Sequence, residues 1–243
     1  MEAISVLEKP VVELDWRQRL IEIIMAAPEP PAKRKMTYEE FLAWADEDTL
    51  AEWVNGEMVM HSPASNEHQD ISGFLEALLR LFVQECELGI VRSAPFQMRL
   101  PNSGREPDLI FVAASHVDRL RHTYLDGPAD LVVEVLSPES VSRDRGEKFY
   151  EYARGGVPEY WLIDPDAQWA EFYRLGEFGI YEPVFTGREG LYRSEVVTDF
   201  WLRAEWLWER PLPPVDDVLL EIGGEVYARR WIERLRQRGF LDS

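Results

Sequence analysis

Residues 130–148 read DLVVEVLSPESVSRDRGEK. Val132, Val133, Val135 and Leu136 surround one acid, Glu134, in a run that is short and β-branched enough for a buried strand. Side chains on a strand alternate faces, so Val132, Glu134 and Leu136 share one side and Val133 and Val135 the other. An ionised carboxylate among valines is costly unless it finds a cation, a hydrogen-bond donor or a proton. The polar stretch that follows leads into a helix from about Arg143 to Arg154. Asp144 suits its N-cap and Gly155-Gly156 its end. A strand apolar on both faces, followed directly by a helix, is the building unit of an α/β sheet.

The flanking chain repeats that grammar. VRSAPFQMRL, then DLIFVAA after Pro107, then EYWLIDP closed by Pro165, read as strands, and AEFYRL with IYEPVF as a hairpin around Gly176–Gly179. Pro107 cannot donate to a ladder, which suits the entry of a strand. Between Asn66 and about Glu87, residues Ile71, Phe74, Leu75, Leu78, Leu79 and Phe82 recur at helical spacing and predict a long helix. AEWVNGEMVMHSP carries Asn55-Gly56, the dipeptide of a tight hairpin turn. Thr37 with Glu40 forms a capping box that opens a helix running to about Asp46. The expected fold is α/β: a sheet core flanked by helices, preceded by a helix and hairpin and followed by a helical extension.

The ends differ in character. Residues 1–35 read as an appendage, with WRQRLIEIIMAA as a short amphipathic helix and PEPPAKRK as a linker. The domain is expected over residues 36–208, and residues 209–243 form an extension after the Pro-rich PLPPVDDV. Its helix, GEVYARRWIERLRQRG, concentrates Arg229, Arg230, Arg234, Arg236 and Arg238. Two readings stay open for those arginines: a solvated helix face, or a contact with an acidic surface in a partner or a second copy. A homo-oligomer, a dimer, is the expectation.

Composition narrows the classes. The chain has 243 residues, 46% of them hydrophobic, enough for a sizeable core. No apolar run approaches the roughly 20 residues of a membrane helix. The N-terminus lacks a basic region followed by an apolar one, so the protein is expected in the cytoplasm. Cys86 is the single cysteine, which excludes an internal disulfide and a thiolate metal cluster. A net charge of −19 argues against loose attraction to nucleic acid, though not against a local basic groove.

Three residues carry candidate chemistry. Asp108 opens the strand DLIFV. If that strand neighbours the one carrying Glu134, the two acids can share a divalent cation. Few hard oxygen ligands supplemented by water suit Mg²⁺ or Mn²⁺. Lys148 lies about one turn inside the following helix. By itself it reads as a surface cation; taken with Asp108 and Glu134, beside a metal-bound water, it could stabilise a phosphate transition state.

PDLIFVAASHV, with DLVVEVLSPESVSRDRGEKFYEYARGGVPEYWLIDP, resembles the Uma-two-type putative restriction endonuclease family, within the PD-(D/E)XK nuclease superfamily. MTYEEFLAW and EWVNGEMV match as well, and the resemblance runs from about Met36 to about Trp208. It implies a restriction-endonuclease-like mixed sheet in which Asp108 and Glu134 bind Mg²⁺ and a lysine assists the attacking water. The superfamily's lysine belongs at position 136, where this chain has Leu136. The resemblance moves the role to Lys148. It also places Glu52 near the metal from the hairpin, with an exposed strand-edge carboxylate as the alternative. His68 becomes a contact to phosphate or water, with a helix-terminal histidine as the alternative. His61, His116 and His122 read as surface residues, and Asp164 as a turn former before proline. The implied activity is Mg²⁺-dependent hydrolysis of DNA phosphodiester bonds by a metal-activated water. The alternative is a nuclease-fold module, weak or inactive in catalysis, that serves binding or assembly.

Overall fold

The computed structural model describes residues 35–45, 51–60 and 64–241, so the expected N-terminal helix, most of its linker and His61 lie outside the described residues. From Met36 onward the chain forms one compact unit. Helix α1, Tyr38–Trp44, starts at the expected capping box, with Thr37 and Glu40 each bonding the other's backbone. Strands β1 (Ala51–Val54) and β2 (Glu57–Met60) pair antiparallel about Asn55 and Gly56, both at positive φ. Helix α2, Asn66–Glu85, buries the predicted stripe and is capped by the Ser65 hydroxyl.

The remaining strands are β3 (Gly89–Ser93), β4 (Gln97–Leu100), β5 (Ser103–Arg105), β6 (Leu109–Ala113), β7 (Tyr124–Asp126), β8 (Leu131–Val135), β9 (Glu159–Asp164), β10 (Trp169–Leu175), β11 (Tyr181–Gly187), β12 (Leu191–Arg193) and β13 (Trp201–Arg203). Helix α3, Lys148–Gly155, follows β8, and α4, Val215–Gln237, ends the fold. The central sheet has the order β11-β10-β9-β8-β6-β3 and is mixed. Only β8 and β9, joined through α3, run parallel in it; a helical crossover is what brings consecutive strands parallel.

The sheet separates two cores. Leu131, Val133 and Val135 face α2, packing with Ile71, Leu75, Leu78 and Phe82. Val132 and Leu136 face α3, packing with Tyr152, Tyr160, Met98 and Leu100. Strand alternation thus puts Glu134 on the α3 side, as its sequence neighbours predict.

VRSAPFQMRL, expected as one strand, is two. β3 joins the central sheet, while β4 enters a second sheet of order β2-β1-β5-β4-β7. Pro95 stands between them and cannot donate to a ladder, so one continuous strand is broken there. β5 and β7 carry no apolar alternation to announce them. Their backbones are ordered by neighbours on β1 and β4.

The terminal helix docks. Val218, Leu219, Ile222 and Tyr227 join the α2 core. Arg230 donates to the Glu85 carbonyl at 2.9 Å, and Arg234 pairs with the Glu85 carboxylate. These two arginines therefore meet the C-terminal end of α2, where a helix favours cations. Among the described residues, no helix is long and apolar enough to cross a membrane.

The α2 packing is testable. Leu75 is fully buried and Leu81, on the same helix, is 40% exposed. Leu75→Ala is expected to lower unfolding free energy by about 2–5 kcal/mol, and Leu81→Ala to change it by no more than about 0.5 kcal/mol. Urea denaturation of both variants checks this.

Candidate active site

Glu134 is 3% exposed, and its carboxylate is not alone. Lys148 donates to Oε1 at 2.9 Å and the Tyr152 hydroxyl donates to the same oxygen at 2.8 Å. Both donors come from α3, which packs over this face of the sheet. The second oxygen has no partner among the described residues, and Glu134 lines a cavity of about 300 Å³. Two donors on one oxygen fix the carboxylate's rotation and leave the other oxygen available.

Asp144 does not cap the helix. A single π turn, Arg143–Glu147, precedes α3, and no side chain caps it. The turn carries Asp144 inward to 1% exposure, with Oδ1 3.0 Å from the Lys148 ammonium but outside hydrogen-bonding geometry. Asp144 and Lys148, four residues apart, face the same side of the helix. Glu52 also approaches Lys148, at 3.4 Å. Burial alone would lower the Lys148 pKa, but Glu134, Glu52 and Asp144 overcome it and hold the amine well above its usual value. Burial pushes the Glu134 carboxyl up; Lys148 opposes that, while Asp144, Asp108 and Glu52 add to it.

Glu52 is not a strand-edge carboxylate. It is fully buried, accepts from Arg105 at 3.1 Å and from the Glu106 backbone N–H at 3.1 Å. Arg105, itself fully buried, also donates to Glu151 of α3. This clamp ties the β1–β5 sheet to the helix that bears Lys148.

Asp108 approaches from the neighbouring strand. β6 pairs β8 antiparallel with Leu109 opposite Val133 and Ile110 opposite Val132, a register that carries Asp108 to the level of Glu134. Its Oδ2 accepts from the Val135 backbone N–H at 2.7 Å and lies 3.2 Å from His68 Nε2. Its Oδ1 has no partner among the described residues. His68, in the first turn of α2, thus grips Asp108. Burial would lower the imidazole pKa, but the Asp108 hydrogen bond and charge outweigh it and hold the ring above its usual value.

His68, Asp108, Glu134 and Lys148 all line the cavity, while Glu52 stands behind Lys148. Among the described residues no group of three or more His, Cys, Asp or Glu side chains is arranged to hold a metal ion. The available oxygens come from two carboxylates, Asp108 and Glu134. Mg²⁺ is commonly held by one or two carboxylates with waters completing the shell, so this pair fits such a cation.

Tyr152, Arg105, Glu106 and Asp144 belong to the site, though the residue pattern singles out only Asp144, and for a different task. Tyr152 sits four residues after Lys148, one turn on, which is the one local signal it offers. Arg105 comes from a strand that has no apolar signature. His116 is not simply a surface residue, since its ring bonds Asp130 at 2.9 Å. His122 is exposed, and Asp164 closes its turn by accepting from the Ala167 N–H.

Residues 38–205 match the Uma2 family, described as a putative restriction endonuclease. The uncharacterised protein slr1290 of Synechocystis sp. is 28% identical over 151 residues, covering 60% of this chain and 77% of that protein. A crystal structure of a putative nuclease of the DUF820 group from Anabaena variabilis superposes with TM-score 0.62 at 18% identity, covering 71% of this chain and 97% of that one. That superposition shows the fold, a mixed α/β architecture shared with that protein.

Glu106 yields a pH signature. Burial raises its carboxyl, the Gln97 hydrogen bond lowers it, Glu52 raises it and Lys148 lowers it, leaving it at about 7. A raised folded-state pKa favours folding below the unfolded value of 4.5, and that advantage is lost as pH rises toward about 7. Glu106→Gln keeps an acceptor for Gln97. Its stability relative to wild type is expected to rise between pH 4.5 and about 7 and to stay level above, read from urea melts in metal-free buffer.

Proposed function

The chain belongs to the Uma2 family of putative restriction endonucleases, and from this premise we propose that it hydrolyses DNA phosphodiester bonds with a divalent cation, Mg²⁺ or Mn²⁺. One observation carries the reading: Asp108 and Glu134 meet at the same level of adjacent strands, each with an oxygen unclaimed by any described residue, over one cavity. A bound divalent cation supplies a more acidic water and positive charge for phosphoryl oxygens.

The protein's own groups have defined tasks in this reading. Tyr152 and Lys148 hold Glu134 by one oxygen, so the other stays aimed at the cavity. The Val135 N–H and His68 do the same for Asp108. Lys148 remains protonated and balances Glu134, Asp144 and Glu52, while its place on the cavity wall keeps it near a reacting phosphate. The arrangement is preorganised, so no side chain needs to swing into position during reaction.

The charge of −19 favours a second reading, in which the fold serves binding or assembly with little catalysis. Within the nuclease reading, the Arg-rich terminal helix α4 motivates a homodimer, in which a second copy supplies basic surface to the DNA. Light scattering that shows a monomer at working concentration would remove the dimer.

The two readings separate in one experiment. Wild type is expected to cleave plasmid DNA with Mg²⁺ or Mn²⁺, and Asp108→Ala, Glu134→Ala and Lys148→Ala to lose about 10²-fold or more. Calorimetric titration with Mn²⁺ is expected to show binding that weakens in the two carboxylate variants. Equal cleavage by wild type and these variants rejects the site, and absence of Mn²⁺ binding at millimolar concentration favours the binding-module reading.

A further inference from the structure

The cavity is walled by more acids than bases, and its basic side chains are His68, Lys148 and Arg143. Two of the three are engaged. His68 is held by Asp108, and Lys148 by Glu134, Asp144 and Glu52. The Arg143 side chain has no hydrogen bond, ion pair or ring contact with any described residue, and its Nε is shut from solvent without an acceptor. Arg145, two residues on, makes the contrast, since it pairs with Asp164 and Glu171.

Folding does not favour an unbonded buried N–H on a cation, because its lost hydration is not replaced. The backbone nevertheless holds Arg143 firmly. Its N–H and that of Asp144 both donate to the Ser140 carbonyl, at 2.8 and 2.9 Å. Ser137 and Ser140 bond each other's backbone N–H reciprocally across the turn that leaves β8. A planar guanidinium fork matches the paired oxygens of a phosphate, and an acidic cavity needs such a cation to admit an anion.

We infer that Arg143 is the anion-binding residue of this cavity, receiving a phosphate group of the substrate through its guanidinium. The identity of the substrate as DNA rests on the nuclease reading above. The anion contact rests on Arg143 itself. Lys148, enclosed by carboxylates, is then a charge-balancing and positioning group, and the two cations divide the work between them.

Inorganic phosphate titrated into the full-length protein, with the arginine Nε–H signals followed by NMR, tests the contact directly. The Arg143 signal, identified by its loss in Arg143→Lys, is expected to shift saturably. In cleavage assays Arg143→Ala is expected to raise KM for a DNA duplex about tenfold with a smaller change in kcat, and Arg143→Lys to recover part of that loss. The thermal midpoint of both variants is expected to stay close to the wild-type value, since no side-chain hydrogen bond or ion pair with a described residue is removed; Arg143→Gln replaces the alanine variant if that one does not fold. A phosphate-insensitive Arg143 signal, or an unchanged KM in an active Arg143→Ala enzyme, overturns the inference. A saturable Arg143 shift in a protein that cleaves no DNA upholds the anion site and rejects the nuclease reading instead.

Discussion

The buried ammonium of Lys148 organises this molecule. It lies within 3.4 Å of carboxylates from β8, from the π turn before α3, and from β1. Three acids so close together would repel one another in an apolar interior; one central cation makes their approach tolerable. The same contact ties three elements together: Glu52 lies on the distant hairpin, Glu134 in the central sheet, and Asp144 in the turn before the lysine's own helix. Arg105 extends the network to Glu52 and Glu151, so both sheets and α3 are joined through charge as well as through packing.

That arrangement leaves an imbalance with chemical meaning. Among the described residues, Glu134, Asp144 and Asp108 outnumber the cations seen to contact them, Lys148 and His68. Glu134 and Asp108 each keep one oxygen without a partner among the described residues, and both border the cavity. Protons or a divalent cation can complete the balance. Burial works toward the first by raising Glu134 and Glu106. Two carboxylates on adjacent strands suit the second. The pH at which the protons leave and the affinity for a cation are therefore linked properties of one cluster.

Much of the architecture was legible in local pattern. The apolar stripe of α2, the capping box of α1, the Asn55-Gly56 turn and the alternation in β8 each express a backbone preference within a few residues. The pairing of Asp108 with Glu134 was an expectation conditional on neighbouring strands, and the β6–β8 ladder supplies that neighbourhood. Arg105 was not legible, because Ser103–Arg105 has no pattern of its own and becomes a strand only between β1 and β4. Asp144 was misplaced as an N-cap. Its neighbours form a π turn rather than the first turn of an α-helix, and that rotates the side chain inward.

The sequence by itself determined which residues could be buried and at what period, and hence the α/β fold, the face that Glu134 takes and the departure at Leu136. These depend on side-chain direction and backbone propensity, which act over one or two turns of chain. Tertiary structure alone decided how the charges are shared. Lys148 is engaged by three acids, Glu52 is clamped by Arg105, and the Arg143 side chain on the cavity wall has no hydrogen-bond partner among the described residues. Such assignments depend on distances between elements separated by tens of residues and on exclusion of water from the space between them, and no local pattern encodes either.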